Sequence, residues 1–235
     1  MPPTIIALHY WAGSGREYDV LRPLLPGATF LAPDLPGFGV QPVPPGFNYS
    51  VQAYADWIAA YIQQQQVTDF TLIGHSMSGK MALALAARQP LGLRRLVLLS
   101  PSPPAGEPMS EADRMASLAA YGKPEEAEKT FRKITCQPLS AALRAHVIAD
   151  NLRSTEAAWT TWLLKGAREN ISSLMPQLNV PCHVLVGEGD TSITPASQRR
   201  LTLPLLPAGT RFEVVPQTGH LLPLEAAAEV RRALE

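Results

Sequence analysis

The chain has 235 residues and balances 20 Lys plus Arg against 20 Asp plus Glu, so its formal net charge is zero. That balance leaves no electrostatic footprint for nucleic acid or an anionic membrane surface. The apolar runs are strand-sized, broken by Gly, Pro or charge and too short to cross a bilayer. Two cysteines, Cys136 and Cys182, are too few for a disulfide framework in a chain of this length. With no basic stretch leading into a long apolar segment at the start, a cytoplasmic location is the expectation. Nothing in the sequence speaks to oligomeric state.

Thr4 to Leu8 is β-branched and apolar and reads as a first strand. A loop of small and aromatic residues follows, His9-Tyr10-Trp11-Ala12-Gly13-Ser14-Gly15, and then a helix expected from Glu17 to about Leu25. A second short strand, Ala28 to Ala32, ends in Pro33-Asp34-Leu35-Pro36-Gly37-Phe38-Gly39, where Asp34 is expected to bond within the turn. A proline-rich connector, Gln41 to Gly46, leads to a helix capped near Ser50 and closing in the solvated run Gln63 to Gln66.

The next stretch is the most informative. Phe70-Thr71-Leu72-Ile73 stops at Gly74, and within five residues Lys80 to Ala87 forms a run of strong helix formers. That is a strand, a sharp turn and a helix, with Ser76 at the apex. Arg88-Gln89-Pro90 ends the helix, and Leu96 to Leu99 is apolar throughout, as a fully buried strand is.

From Ser110 to about Leu174 no strand-like run appears, only helical segments that carry Trp159 and Trp162. Residues 107–174 are therefore expected to form a helical insertion into a core made of 1–106 and 175–235. Between Glu107 and Glu169 nine acidic residues face nine basic ones, so the insertion has no net charge to draw in an ionic ligand. The sheet resumes at Cys182 to Val186, followed by Gly187-Glu188-Gly189-Asp190-Thr191, a helix around Ala196 to Leu203, and a last strand, Arg211 to Val215. Pro216-Gln217-Thr218-Gly219-His220 lies directly after it. Six strands alternating with helices predict an α/β fold. Its sheet is mostly parallel with helices on both faces, and the insertion comes before the penultimate strand.

Gly74-His75-Ser76-Met77-Ser78 resembles the nucleophile elbow G-x-S-x-G of the α/β-hydrolase family, with Ser78 in the place of the second glycine and Gly79 one residue later. The resemblance extends to Asp34-Leu35-Pro36-Gly37-Phe38-Gly39, similar to that family's D-x-x-G-x-G turn, and to a helical excursion that looks like its cap. It implies a triad in the chain order Ser, Asp or Glu, His, each on a loop past a strand. Ser76, Asp190 and His220 stand in that order, with Glu188 an earlier and longer-armed alternative to Asp190. Of five histidines, His220 alone sits on a loop past the last strand, after a glycine. The resemblance further implies an oxyanion hole from the backbone N–H groups of Trp11 and Met77, where the family's usual glycine is replaced by Tyr10.

The chemistry so implied is acyl transfer: His220 takes the proton of Ser76, which attacks a carboxylic ester or thioester, and Asp190 holds the imidazole in place. Neither a metal nor an organic cofactor is called for, and the partner expected is a small-molecule substrate. Tyr10, Trp11, Trp159 and Trp162 are candidates for its apolar pocket, although the two insertion tryptophans also read as packing residues. Carbon–carbon bond hydrolysis, elimination, cofactor-free haloperoxidation and non-catalytic binding of a small molecule on the same scaffold stay open.

Overall fold

The computed structural model describes residues 3–235. Six strands form one sheet, β1 (Thr4–Leu8), β2 (Thr29–Leu31), β3 (Phe70–His75), β4 (Leu93–Leu99), β5 (Cys182–Gly187) and β6 (Arg211–Val215), in the order β2-β1-β3-β4-β5-β6. Every pairing is parallel. The period of two along each strand sorts the core into two layers. Ile6, Leu8, Leu72, Leu96, Leu98 and Val184 are buried on one face, and Ile5, Ala7, Ile73, Val97, Leu99 and Leu185 on the other.

Helix α1 (Val51–Gln64) begins where the Ser50 hydroxyl accepts the Ala53 N–H, and buries Val51, Tyr54, Ala55, Ile58 and Ile62, a stripe at helical spacing. Helix α2 (Met77–Ala86) follows Ser76 without a linker and is buried at every residue, which is why its sequence is apolar all round apart from Ser78 and Lys80. The helix expected from Glu17 to Leu25 is instead two short 3₁₀ turns, Gly15–Tyr18 and Arg22–Leu24, because Pro23 and the packing of Tyr18 and Leu21 break it into pieces.

Between β4 and β5 lie α3 (Glu111–Ala119), α4 (Pro124–Ile134), α5 (Ala141–Leu152) and α6 (Glu156–Leu164). Three of them carry a hydroxyl cap, from Ser110, Ser140 and Thr155, and the fourth begins with Pro124 at its first turn. After β5 come α7 (Pro195–Leu201), then β6, α8 (Leu222–Glu225) and α9 (Ala227–Leu234). Among the described residues no helix is long and apolar enough to cross a membrane.

The strand order matters for function. The chain runs outward from β1 to the edge strand β2 and then returns past β1 to β3, so the connections leaving β1 and β3 diverge. In open parallel sheets ligands bind in the crevice that such a switch opens beyond the strands' C-terminal ends.

Candidate active site

Three non-glycine residues in the left-handed region stand just past the C-terminal ends of three adjacent strands: Ala12 after β1 (φ 64°), Ser76 after β3 (φ 52°) and Ser100 after β4 (φ 41°). Such backbone costs about 1–3 kcal/mol per residue and persists only where the surroundings over-determine it. At Ser76 they do. Its N–H donates to the Leu99 carbonyl (2.8 Å), and its own carbonyl accepts from the N–H groups of Ser102 and Gly79 (2.9 Å each).

The turn needs small residues on both sides. A Cβ on Gly74 would lie 2.8 Å from the Ala82 Cβ and from the backbone of Ser78 and Gly79, and one on Gly79 would meet Pro101 at 2.6 Å. Ser78 fits in place of a glycine because its hydroxyl is used. It donates to the Leu8 carbonyl (2.7 Å) and accepts the His75 N–H (2.9 Å), tying the elbow to the end of β1.

Asp190 and His220 meet as the chain order implied. The buried Asp190 carboxylate accepts the His220 Nδ1–H at 2.7 Å through Oδ2, while Oδ1 accepts the N–H groups of Ser192 (2.8 Å) and Ile193 (3.0 Å). With Nδ1 carrying the hydrogen, Nε2 is left as an acceptor. Burial by itself would raise the Asp190 carboxyl, but the charge and hydrogen bond of His220 together with the Ile193 N–H outweigh it and hold the group below the ordinary aspartate value. Burial likewise opposes charge on His220, and Asp190 overcomes it, so the imidazole titrates above its ordinary value. Glu188 is exposed and among the described residues accepts only the Gln217 N–H (3.2 Å), which leaves the alternative acid outside the cavity lining.

His75 directly precedes the serine, and its sequence position alone gives it no role. In the structure it is fully buried. One ring nitrogen, Nε2, donates to the main-chain carbonyl of His220 (2.8 Å), and the other faces the Glu17 carboxylate at 3.2 Å. The His220 N–H in turn donates to the Ile134 carbonyl (2.7 Å), at the end of α4. The loop bearing His220 is thus anchored on one side to the elbow and on the other to the insertion. No local signal could have paired His75 with Glu17, 58 positions earlier.

The N–H groups of Trp11 and Met77 donate to no acceptor among the described residues. That of Met77 opens α2, where the first turn of any helix leaves its donors free and the aligned peptides favour negative charge. His9 is locked as the neutral ring, its Nδ1–H on the Tyr10 carbonyl (2.7 Å) and its Nε2 accepting the Leu35 N–H (2.9 Å), and burial holds its pKa down. That double tie fixes the backbone leading into Trp11. Asp34 closes its own turn by accepting the Val40 N–H (2.7 Å), and its other oxygen ties that turn to the loop after β1 by accepting the Gly15 N–H (2.8 Å).

A cavity of about 380 Å³ lies between the sheet's C-terminal edge and the inserted helices. Ser76 and His220 line it, as do Tyr10, Trp11, Trp159 and Trp162. Trp159 lines the cavity and also packs the insertion. Its ring lies 4.1 Å from that of Trp11, and its Nε1–H donates to the Ser117 carbonyl (3.0 Å), so it packs the insertion while facing the cavity. Trp162 lies over the ammonium of Lys80 (5.6 Å). Lys80, fully buried on α2, donates to the carbonyls of Gly166 (3.2 Å), Ala167 (3.3 Å) and Glu169 (3.0 Å) and so clamps the chain leaving the insertion onto the elbow helix.

Known proteins share the sequence pattern and the fold. The sequence signature of the Alpha/beta hydrolase family matches residues 5–233. The chain is 28% identical to the 2-succinyl-6-hydroxy-2,4-cyclohexadiene-1-carboxylate synthase of Enterobacter sp. (strain 638), over 99% of this chain and 90% of that protein. It is 29% identical to the pimeloyl-[acyl-carrier protein] methyl ester esterase of Neisseria meningitidis serogroup A, over 98% and 74%. Among solved structures, the esterase EaEST of Exiguobacterium antarcticum superposes with a TM-score of 0.89 at 19% identity, covering 99% of this chain and 90% of that one.

Proposed function

Since the chain belongs to the alpha/beta hydrolase family and is an enzyme of that family, we propose that it is a serine hydrolase that cleaves a small to medium carboxylic ester or thioester through an acyl-enzyme on Ser76. The observation that carries this reading is the 2.7 Å bond between His220 Nδ1 and the otherwise fully bonded Asp190 carboxylate, in a cavity that Ser76 also lines.

In the proposed mechanism His220 Nε2 takes the hydroxyl proton as Ser76 Oγ attacks the acyl carbon. Asp190 fixes the tautomer and stabilises the imidazolium that forms. The negative charge on the carbonyl oxygen is received by the N–H groups of Trp11 and Met77, which are held in place before the reaction and need no reorganisation. The imidazolium then protonates the departing alcohol or thiol. Water, deprotonated by the same ring, releases the acid. Residues 107–174 act as the cap that shapes the substrate cavity. A volume near 380 Å³ sits at the small end of ligand pockets and favours a modest substrate.

A second reading keeps the same three residues and changes the reaction. It is favoured by the full-length similarity to the Enterobacter protein, which is named as a synthase rather than an esterase. Here His220 and Ser76 would act in proton transfer during an elimination or a carbon–carbon cleavage. Turnover of short p-nitrophenyl esters and labelling by a fluorophosphonate probe test the hydrolase reading. Both are expected in the native enzyme, and Ser76→Ala should lose labelling and about 10⁶-fold in kcat while keeping the fold. Full activity in that variant would end the proposal, and turnover confined to a synthase-type substrate, with no acyl-enzyme trapped, would establish the second reading.

A further inference from the structure

The charges around the cavity say more about its substrate than the neutral balance of the insertion does. Its acidic lining residues are Glu107, Asp113 and Glu126, and its basic ones are Lys129 and Lys133, with no arginine. Lys129 is paired with Glu126 at 2.6 Å, and Lys133 is exposed. Asp113 is occupied at the exposed start of α3, where it accepts the Ser110 hydroxyl at 2.5 Å. What remains inside is Glu107, in the same lining as Ser76 and His220 and held there by its main chain, whose N–H donates to the Ala167 carbonyl at 2.8 Å.

Two buried cations lie behind this wall; their charge is felt by Glu107, but their hydrogen bonds go to other groups. Lys80 uses its three protons on the carbonyls of Gly166, Ala167 and Glu169. Arg114, buried in α3, bonds the carbonyls of Leu163 and Met109 and pairs with Glu111 at 3.6 Å. Neither lines the cavity. A substrate carboxylate would therefore meet an acid in the wall it shares with Ser76 and His220 and find the two buried cations bonded elsewhere, with Lys133 only at the exposed margin. A neutral or cationic group would meet apolar walls and one carboxylate.

We propose that the cavity selects esters that are neutral or cationic around the reacting group over anionic ones, with Glu107 as the residue that sets the preference. This rests on the ester-hydrolase reading above. Burial raises the Glu107 carboxyl, and Lys80, the largest opposing influence, does not bring it back to the ordinary value, so the preference should strengthen as pH rises and the group ionises. The proposal also sets this cavity against a carboxylate-bearing ligand such as the product for which the Enterobacter relative is named.

The test is a matched series of p-nitrophenyl esters of similar length whose far end is a methyl, a carboxylate or a trimethylammonium group. A second series carries the charge on the alcohol. The native enzyme should disfavour the anionic member of at least one series by about tenfold or more in kcat/KM, as like charge across a binding surface predicts. Glu107→Gln should shrink the anionic-to-neutral gap to within about threefold, and Glu107→Lys should reverse the order. Equal turnover of anionic and neutral esters by the native enzyme, or a gap unmoved by either substitution, overturns the proposal. If no ester is turned over at all, the hydrolase reading fails instead. The charge preference is then read from calorimetric binding of hexanoate, hexanol and hexyltrimethylammonium to the native protein, where binding of hexanoate as tight as that of the other two overturns it.

Discussion

The elbow and the inserted helices meet at one cavity but are built in opposite ways. At Ser76 the backbone N–H and carbonyl both have fixed partners, the helix that follows is buried at every residue, and the strained φ of the serine is held from both sides. The insertion is amphipathic and largely exposed, rich in surface ion pairs such as Arg132–Glu128 and Arg144–Glu128 that contribute little each. It is fastened at discrete points: Lys80 on three carbonyls, Asp150 accepting the Ser14 hydroxyl (2.7 Å) and pairing with Arg16, Thr155 N–H on the Gly37 carbonyl (2.8 Å), and Trp159 on Trp11. The contrast separates two jobs. On the proposed reading, reaction geometry, which needs sub-ångström constancy, would rest on the packed sheet edge, whereas substrate fit could be revised by changing a few residues on the insertion without disturbing the elbow.

If that division holds, substitutions at the sheet edge should act on kcat and those on the fasteners on stability or KM. After the loss expected at Ser76, the largest effect belongs to Asp190→Asn. It preserves shape but no longer fixes the tautomer of His220, and kcat should fall by about 10⁴-fold with KM little changed. A comparable rise in KM instead would show the two regions to be less separable than they look.

Lys80 tests the boundary itself. Burial lowers its pKa to about 8, against an ordinary value of 10.5, with Glu107 and Glu169 offsetting only part of the cost. The unfolded chain therefore binds more protons than the native one between those values, and stability should rise with pH across that window, by something of order 3 kcal/mol if no other group compensates. Lys80→Met should remove that slope in urea unfolding measured at pH 7.5 and pH 10, and leave the fluorophosphonate reaction of Ser76 intact.

A smaller loss is expected from Ser78→Ala. The buried N–H of His75 loses its acceptor and the Leu8 carbonyl one of its donors, so the variant should be about 1–3 kcal/mol less stable by urea unfolding. The gentlest probe is pH. His220 must be neutral to act as base, and Asp190 raises its pKa, so kcat/KM should climb with pH through a midpoint above 6.5. The residual activity of Asp190→Asn should show that midpoint at a lower pH, since the charge that favours the imidazolium has gone. An unshifted limb would mean that another group controls it.

The elements that were legible in the sequence share a cause: their signals are local. The strand, turn and helix around Ser76, the all-apolar run of β4, the proline-stiffened connectors and the strandless stretch between β4 and β5 follow from backbone sterics and hydrophobic period. Asp190 and His220 were legible because each follows a strand, and parallel strands deliver their C-terminal loops to one edge. The resemblance to a family supplied the roles expected of them.

Other features depended on distance through space rather than along the chain. Glu17 reaches His75 and His75 the carbonyl of His220; Lys80 reaches the far end of the insertion; Trp11 finds Trp159; and the two 3₁₀ turns replace a helix because Tyr18 and Leu21 are drawn into the core. The sequence by itself determined the alternation of strands and helices and where each loop carries its reactive side chain, since these are set by each residue's own conformational and hydrophobic preferences. Only the tertiary structure decided the strand order, the partners of the buried polar groups and which charges face the cavity. Those are chosen by packing, which satisfies every buried donor and acceptor it can from whatever chain the fold brings near.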